Sequence, residues 1–381
     1  WRASRACPVV CLSMPAIELI YFNAGGGHRA AARAIEAVLA VPGGRWQVRS
    51  TNLFEILDPQ GQFRRYAGIA PEDLYNLRLR KGWTAGLAQE LKLLQASIRI
   101  AHDMLVQRLH AHWLRSTPDL VLSLIPNFNL ALGISLQRAL PEVPFVTLMT
   151  DLADCPPNFW IEPTITQHLI CGTPRAVAQA LSAGVDTARV HRVSGMVLHP
   201  DFHAPLAGDA DADRAALGLD PDRPTGVVMF GGHGAATMKP IAQALGDVQL
   251  ILMCGHNESL ARALRGRRSQ APHAVLGFTT EVRRWMRLGD FFIGKPGPGS
   301  LSEAVHLGLP VITFRNAWTM PQERYNTEWV EENALGRVIR SPTGVREAVA
   351  ALLDDLPRHR AAVAQLHNRA VFEVPAILEA I

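Results

Sequence analysis

Lys295, Gly297, Gly299 and Ser300, with Glu303 one turn further on, bring together a cation, two residues without a Cβ, a hydroxyl and a carboxylate. An apolar run, 291–294, leads into this stretch through Pro296 and Pro298, and a helical pattern, 301–307, leaves it. Gly297 and Gly299 let the backbone turn sharply and approach a bulky ligand. Ser300 has the side chain of a helix cap, and the uncapped amide N–H groups of the helix would point at whatever lies over the turn. Such a turn favours an anion, phosphate above all, by about 0.3–1 kcal/mol from the helix dipole. Glu303, three residues past that cap, is either a capping-box partner or an acceptor for ligand hydroxyls. The combination suggests a nucleotide or nucleotide-sugar site.

A second constellation sits near the start of the chain. Gly25, Gly26, Gly27 and His28 follow the first apolar run directly and open a helical pattern over 30–39. Their spacing is not that of a dinucleotide fingerprint, and no acid ends the second strand at Thr51-Asn52, which argues against a nicotinamide enzyme. His28 falls in the first helical turn, where the positive end of the dipole lowers an imidazole pKa. A neutral imidazole facing a cleft can remove a proton from a hydroxyl, and a structural histidine is the alternative. Gly231 and Gly232 belong to a similar turn before Gly234, where a phosphate or the other domain could come close. His233 within it reads as a loop residue. Gln322, Glu323 and Asn326 open a helix, where they suit sugar hydroxyls or simply cap the helix. Asp151 ends a strand and either looks into the cleft or caps a turn. Asp209, Asp211 and Asp213 form D-x-D pairs but follow no strand, and they read as solvated chain rather than a metal site.

The elements that must position these groups alternate between strand and helix. Strands are expected over 17–22, 46–51, 120–124, 145–149, 168–171 and 191–193, then over 225–230, 248–253, 274–276, 291–294 and 310–314. A polar stretch, 207–224, divides the two sets. This predicts an α/β protein of two Rossmann-like halves with parallel sheets and a ligand cleft between them. At 381 residues two domains are the better expectation.

A net charge of +4 suits an anionic ligand or an anionic membrane surface, and no basic arm or zinc-finger spacing points to nucleic acid. Five scattered cysteines, Cys7, Cys11, Cys155, Cys171 and Cys254, read as reduced cytosolic thiols. Residues 1–13 look like an extension ahead of Met14, and no apolar run is long enough to span a bilayer. The segment 60–115 interleaves Arg64, Arg65, Arg78, Arg80, Lys81, Lys92, Arg99, Arg108 and Arg115 with Tyr75, Leu77, Leu79, Trp83 and Leu87. It reads either as a surface for anionic lipid headgroups or as an ordinary solvated helix face.

Taken together, these residues resemble the family 28 glycosyltransferases of GT-B fold. The likeness is strongest to the monogalactosyldiacylglycerol synthase and diacylglycerol glucosyltransferase branch. It rests on Gly25 to Ala31, Thr150-Asp151-Leu152 with Trp160, Gly277-Phe278, Lys295 to Ser300 with Glu303, Gly308-Leu309-Pro310, and Gln322-Glu323 with Asn326. The chain departs from the pattern at Cys155-Pro156-Pro157 and at Val197, both in the acceptor half.

The resemblance implies transfer of galactose or glucose from a UDP-sugar to a lipid hydroxyl, diacylglycerol first among them, with inversion. Relatives on the same fold transfer N-acetylglucosamine to an undecaprenyl-linked precursor or epimerise UDP-N-acetylglucosamine, and a non-catalytic binder of nucleotide sugars is a further alternative. By resemblance His28 is the base, with Asp151 beside it. Phe278 flanks uracil, Glu303 binds ribose, and Lys295, Gly297, Pro298, Gly299 and Ser300 lie at the diphosphate. Gln322, Glu323 and Asn326 face the donor sugar, and no tightly bound cofactor or metal is required. The implied organisation is an acceptor domain over 14–203, a donor domain over 204–360, and a final helix over 361–381 crossing back to the first. The implied location is cytoplasmic, on the inner face of the cell membrane.

Overall fold

The computed structural model of the chain describes residues 14–23, 26–61, 65, 87–205 and 208–381. Its strands form two six-stranded parallel sheets. The first contains β1 (Ala16–Tyr21), β2 (Gln47–Asn52), β3 (Leu120–Ser123), β4 (Phe145–Leu148), β5 (His168–Cys171) and β6 (Val190–Arg192), in the order β2-β1-β3-β4-β5-β6. The second contains β7 (Thr225–Met229), β8 (Gln249–Met253), β9 (His273–Leu276), β10 (Phe291–Gly294), β11 (Val311–Phe314) and β12 (Gly336–Ile339), in the order β12-β11-β10-β7-β8-β9. Parallel neighbours need long crossovers, and the helices in those crossovers cover both faces of each sheet. The strands β3, β4, β7, β8 and β10 are therefore buried along their whole length and read in sequence as predominantly apolar runs.

The order of strands reverses between β1 and β3 in one sheet and between β7 and β10 in the other. At such a point the connections leave in opposite directions and open a crevice beyond the strand carboxyl ends. The glycine turn before His28 follows β1. The turn at Gly231 follows β7, and the Lys295–Gly299 segment follows β10.

The last helix, Ala370–Ala380, does not pack with the second sheet. Its Ala370, Val374 and Leu378 share a core with Ile17, Leu19 and Ile35 of the first. Three hydrogen bonds hold the return: Asn368 Nδ2 donates to the Met196 carbonyl, the Ser194 amide to Glu373 Oε2 and the Arg369 amide to Ser194 Oγ, each at 2.7 Å.

Three local expectations are corrected. The helix after β1 starts at Gly27 rather than residue 30, because Gly26 adopts φ +85°, a left-handed turn that glycine tolerates at no steric cost. The edge strand β12 was not foreseen, since it is short, half-exposed and broken in pattern by Arg337. Part of the polar stretch is helical, Ala210–Ala216, and Asp213 within it is buried rather than solvated. Arg284 Nη2 reaches Asp213 Oδ1 at 2.7 Å, and Arg287 Nη2 reaches Oδ2 at 2.6 Å. The extension 1–13, with Cys7 and Cys11, and residues 62–64 and 66–86 of the basic segment 60–115 lie outside the described residues.

The hydrogen bonds from Arg284 and Arg287 hold the Asp213 carboxyl down at about 2. An unfolded aspartate titrates near ~3.9, so the clamp contributes fully above that pH and its contribution is lost as pH falls toward the folded value. Asp213→Asn should therefore lower the melting temperature at pH 7, and the gap from wild type should close on acidification from pH ~4 to ~2. A melting series by circular dichroism reads this directly, and a gap independent of pH would contradict it.

Candidate active site

The facing carboxyl ends of the two sheets enclose a cavity of about 1010 Å³. That is the upper size range for small-molecule sites and large enough for a nucleotide sugar. Its wall in the second half is built on the loop after β10. Gly297 takes the N-cap position and Pro298 the first position of the helix Pro298–His306, and no side chain caps it. Proline there needs no N–H partner and has the right φ in advance, so the helix begins earlier than a Ser300 cap would allow. The expectation that Ser300 caps the helix, with Glu303 as capping-box partner, is corrected accordingly. Gly299 and Ser300 line the cavity inside the first turn, where their amides are free of intrahelical bonds. A Cβ on Gly299 would meet nothing within 4 Å, so this glycine opens onto the cavity.

The loop is held from behind. Lys295 Nζ donates to Glu323 Oε1 at 2.9 Å, and Asn326 Nδ2 donates to the Pro296 carbonyl at 2.7 Å. Glu323, Asn326 and Gln322 are thus not on the cavity wall, whereas Lys295, Gly297, Pro298, Gly299, Ser300 and Glu303 are. The buried oxygens Gln322 Oε1 and Asn326 Oδ1 have no protein partner among the described residues. Glu303 has its carboxyl pushed up to about 7 by burial.

Gly231, Gly232 and His233 also border the cavity. Beside them Phe278, 58% exposed, stacks on His256 with ring centroids 3.8 Å apart and planes 17° from parallel. Sequence reasoning missed His256. Its signal was the turn Cys254-Gly255-His256 after β8, which repeats in miniature the glycine-histidine turn after β7.

The opposite wall comes from the first half. Gly26 and Gly27 border the cavity, while Gly25 lies outside the described residues. Arg29 also lines it, with Nη1 donating to Asn23 Oδ1 at 3.0 Å. His28 is half-buried, set just behind the residues that line this wall. Side chains in a first helical turn tilt back toward the helix start, and the ring lies between Phe22 and Trp160, at 6.5 and 6.1 Å between centroids. Its Nδ1 is 3.0 Å from Thr150 Oγ1, and Thr150 does line the cavity. Burial pushes the imidazole down to about 4 against a hydrogen bond with the Leu124 backbone, so the ring is neutral at physiological pH.

Asp151 is buried too and stays off the wall, accepting from Trp160 Nε1 at 2.9 Å. Burial raises its carboxyl to about 7; the Trp160 bond opposes this, and across the gap Glu323 raises it while Lys295 lowers it. The loop that delivers Trp160 is organised by Asp154, another residue sequence reasoning missed. Its carboxylate accepts the amides of Asn158, Phe159 and Trp160 at 3.0, 3.0 and 2.6 Å.

A family profile described as monogalactosyldiacylglycerol (MGDG) synthase matches residues 28–197. A soybean (Glycine max) protein described as "Probable monogalactosyldiacylglycerol synthase, chloroplastic" is 29% identical over 355 residues, covering 88% of this chain and 64% of that one. Monogalactosyldiacylglycerol synthase of spinach (Spinacia oleracea), also chloroplastic, is 29% identical over 351 residues, covering 88% of this chain and 65% of that one. The chain thus spans just under two thirds of the length of these relatives.

Among solved structures, the spinosyn rhamnosyltransferase SpnG complexed with thymidine diphosphate superposes with a TM-score of 0.57 at 14% identity, over 93% of this chain and 95% of that one. MurG of Acinetobacter baumannii does so with a TM-score of 0.59 at 13% identity, over 96% and 100%. These establish a GT-B fold. The expected location on the inner face of the cell membrane is overturned, because the curated relatives are chloroplastic. Reduced thiols and a mild positive charge, on which that expectation partly rested, do not distinguish one reducing compartment from another.

Because Gly299 faces open space, Gly299→Val should leave the melting temperature close to wild type while a side chain fills the space over the uncapped helix start. Uridine diphosphate affinity measured by calorimetry should fall at least ~10-fold, about 1.4 kcal/mol. Unchanged affinity would mean that the nucleotide lies elsewhere.

Proposed function

From the chain's kinship with the monogalactosyldiacylglycerol synthases and its GT-B fold, we propose a glycosyltransferase that moves a hexose, galactose or glucose, from a UDP-sugar to diacylglycerol with inversion. The observation that carries this reading is the uncapped helix start at Gly297–Ser300, on one wall of a cavity whose other wall is formed by Gly26, Gly27 and Thr150. In the proposed complex the uracil rests against the Phe278–His256 stack and the ribose hydroxyls donate to Glu303. The diphosphate lies over the amides of Gly299 and Ser300 beside Lys295.

As the glycosidic bond to the diphosphate breaks, negative charge grows on the leaving oxygen. Amides already fixed in place stabilise that charge without reorganising. The reading therefore asks for no bound metal, and the charge falls to the helix start and Lys295. Asp151 acts through its electrostatic contact with Lys295 and Glu323. Glu323 and Asn326 serve the donor site from behind, by holding Lys295 and the Pro296 carbonyl. His28, held neutral, is the base for the lipid hydroxyl.

A lipid acceptor requires access to a membrane. Among the described residues no helix is long and apolar enough to cross one. The helices Leu87–Ile100 and His102–Ser116 nevertheless expose Leu93 by 69% and Ile100 by 89%, with Met104 and Arg99 also at the surface. Leu93 and Ile100, seven residues apart, share one face of the first helix, and Met104 belongs to the first turn of the second. An apolar face with basic residues nearby supports shallow docking on anionic lipid.

Incubation with UDP-galactose, UDP-glucose or UDP-N-acetylglucosamine and diacylglycerol vesicles, read by mass spectrometry, should yield a monohexosyldiacylglycerol. His28→Ala should lower turnover about 10²–10⁴-fold while uridine diphosphate affinity holds. No glycolipid from any of the three donors would end the proposal. Leu93→Glu with Ile100→Glu should reduce co-sedimentation with phosphatidylglycerol vesicles and leave nucleotide binding unchanged; undiminished sedimentation would remove this face from membrane docking.

A further inference from the structure

The proposed reaction must take a proton from the acceptor hydroxyl, yet the imidazole assigned to that task stands one side chain behind the cavity wall. Thr150 occupies the intervening place. It follows β4 at the carboxyl edge of the sheet, lines the cavity, and holds Oγ1 3.0 Å from His28 Nδ1. A neutral imidazole has a single N–H. The ring's other polar neighbour is the Leu124 backbone, where only a donor is useful. With the ring proton on Nε2 directed there, Nδ1 is an acceptor, and the Thr150 hydroxyl is the donor of the 3.0 Å contact. A hydroxyl has one proton and two lone pairs, so Oγ1 still has a lone pair for a hydroxyl arriving from the cavity.

We propose that Thr150 relays the proton from the acceptor hydroxyl to His28. This rests on the reading of His28 as base. In the step, the O–H bond of the lipid breaks and its proton passes to Thr150 Oγ1, while the proton already on Oγ1 passes to His28 Nδ1. The electron pair left on the lipid oxygen forms the new bond to the anomeric carbon. The bond from that carbon to the diphosphate breaks with its electrons going to UDP. Thr150 ends as the neutral hydroxyl it began as, and His28 ends as an imidazolium that returns its proton to solvent. The lipid hydroxyl becomes acidic only as its oxygen bonds to carbon, so a weakly basic ring can accept the proton within the transition state.

Aromatic side chains hold the half-buried ring in place. Phe22 and Trp160 flank it, and Trp160 is fixed by Asp151 and by the Asp154-organised loop. A threonine hydroxyl on the wall lets a base set back from the cavity reach the acceptor, with one extra proton transfer.

The test compares Thr150→Val, which keeps the shape, with Thr150→Ser, which keeps the hydroxyl. It uses whichever UDP-hexose the product assay identifies, in single-turnover reactions on diacylglycerol vesicles. Thr150→Val should slow the chemical step about 10²–10³-fold with donor KM and uridine diphosphate affinity within ~2-fold, and Thr150→Ser should stay within ~10-fold of wild type. In mixed light and heavy water, the wild-type rate should bow downward with deuterium fraction, as two protons in flight require. A threonine that only orients the ring would give a straight line. Thr150→Val within ~3-fold of wild type, or a straight wild-type line, would overturn the relay. If His28→Ala retains turnover, the base reading itself fails. If His28→Ala is inactive and Thr150→Val is not, the relay alone fails.

Discussion

The helix Pro298–His306 begins without a side-chain cap, and much of the site follows from that omission. Amides at a helix start need partners, and when the protein supplies none the ligand must. The loop before the helix has to stay open for this to work, so its support comes from behind. Lys295 leans on Glu323, and Asn326 holds the Pro296 carbonyl. Glu323 and Asn326 lie at and just after the 3₁₀ turn Pro321–Glu323, so the second sheet's later helix fixes the earlier helix's mouth. The same geometry explains why Gly299 has no neighbour where a Cβ would go.

The two halves divide the chemical labour. The second half presents amides and a lysine, groups suited to accumulating negative charge. The first half presents groups whose charge burial has suppressed: an imidazole held near 4 and an aspartic acid held near 7. Trp160 links them by flanking the ring of His28 and donating to Asp151. Across the gap, Asp151 feels both Glu323 and Lys295, so the ionisation of one half depends on the approach of the other.

Local features were legible in the sequence and long-range pairings were not. Buried parallel strands announce themselves as apolar runs, and glycines at their ends mark where a left-handed turn or a close approach is needed. Those signals placed both glycine turns and eleven of the twelve strands. Ser300 misled because proline at 298 starts the helix sooner than a serine cap would. Asp213 misled because the arginines that bury it come from a helix much later in the chain. His28 was correctly placed in the first turn, but which way its ring points depends on Trp160 and Thr150, which sit on another strand's exit loop. The stacking of His256 on Phe278 joins two loops that no periodicity connects.

The final helix has a consequence for biosynthesis. Ala370, Val374 and Leu378 complete the core that β1 begins with Ile17 and Leu19. The segment that closes this core follows the whole second half in the chain, so the first half emerges with one wall of its interior missing and cannot finish until the 11-residue helix Ala370–Ala380 has been made. A chain interrupted before residue 370 would leave an exposed oily seam on its first half.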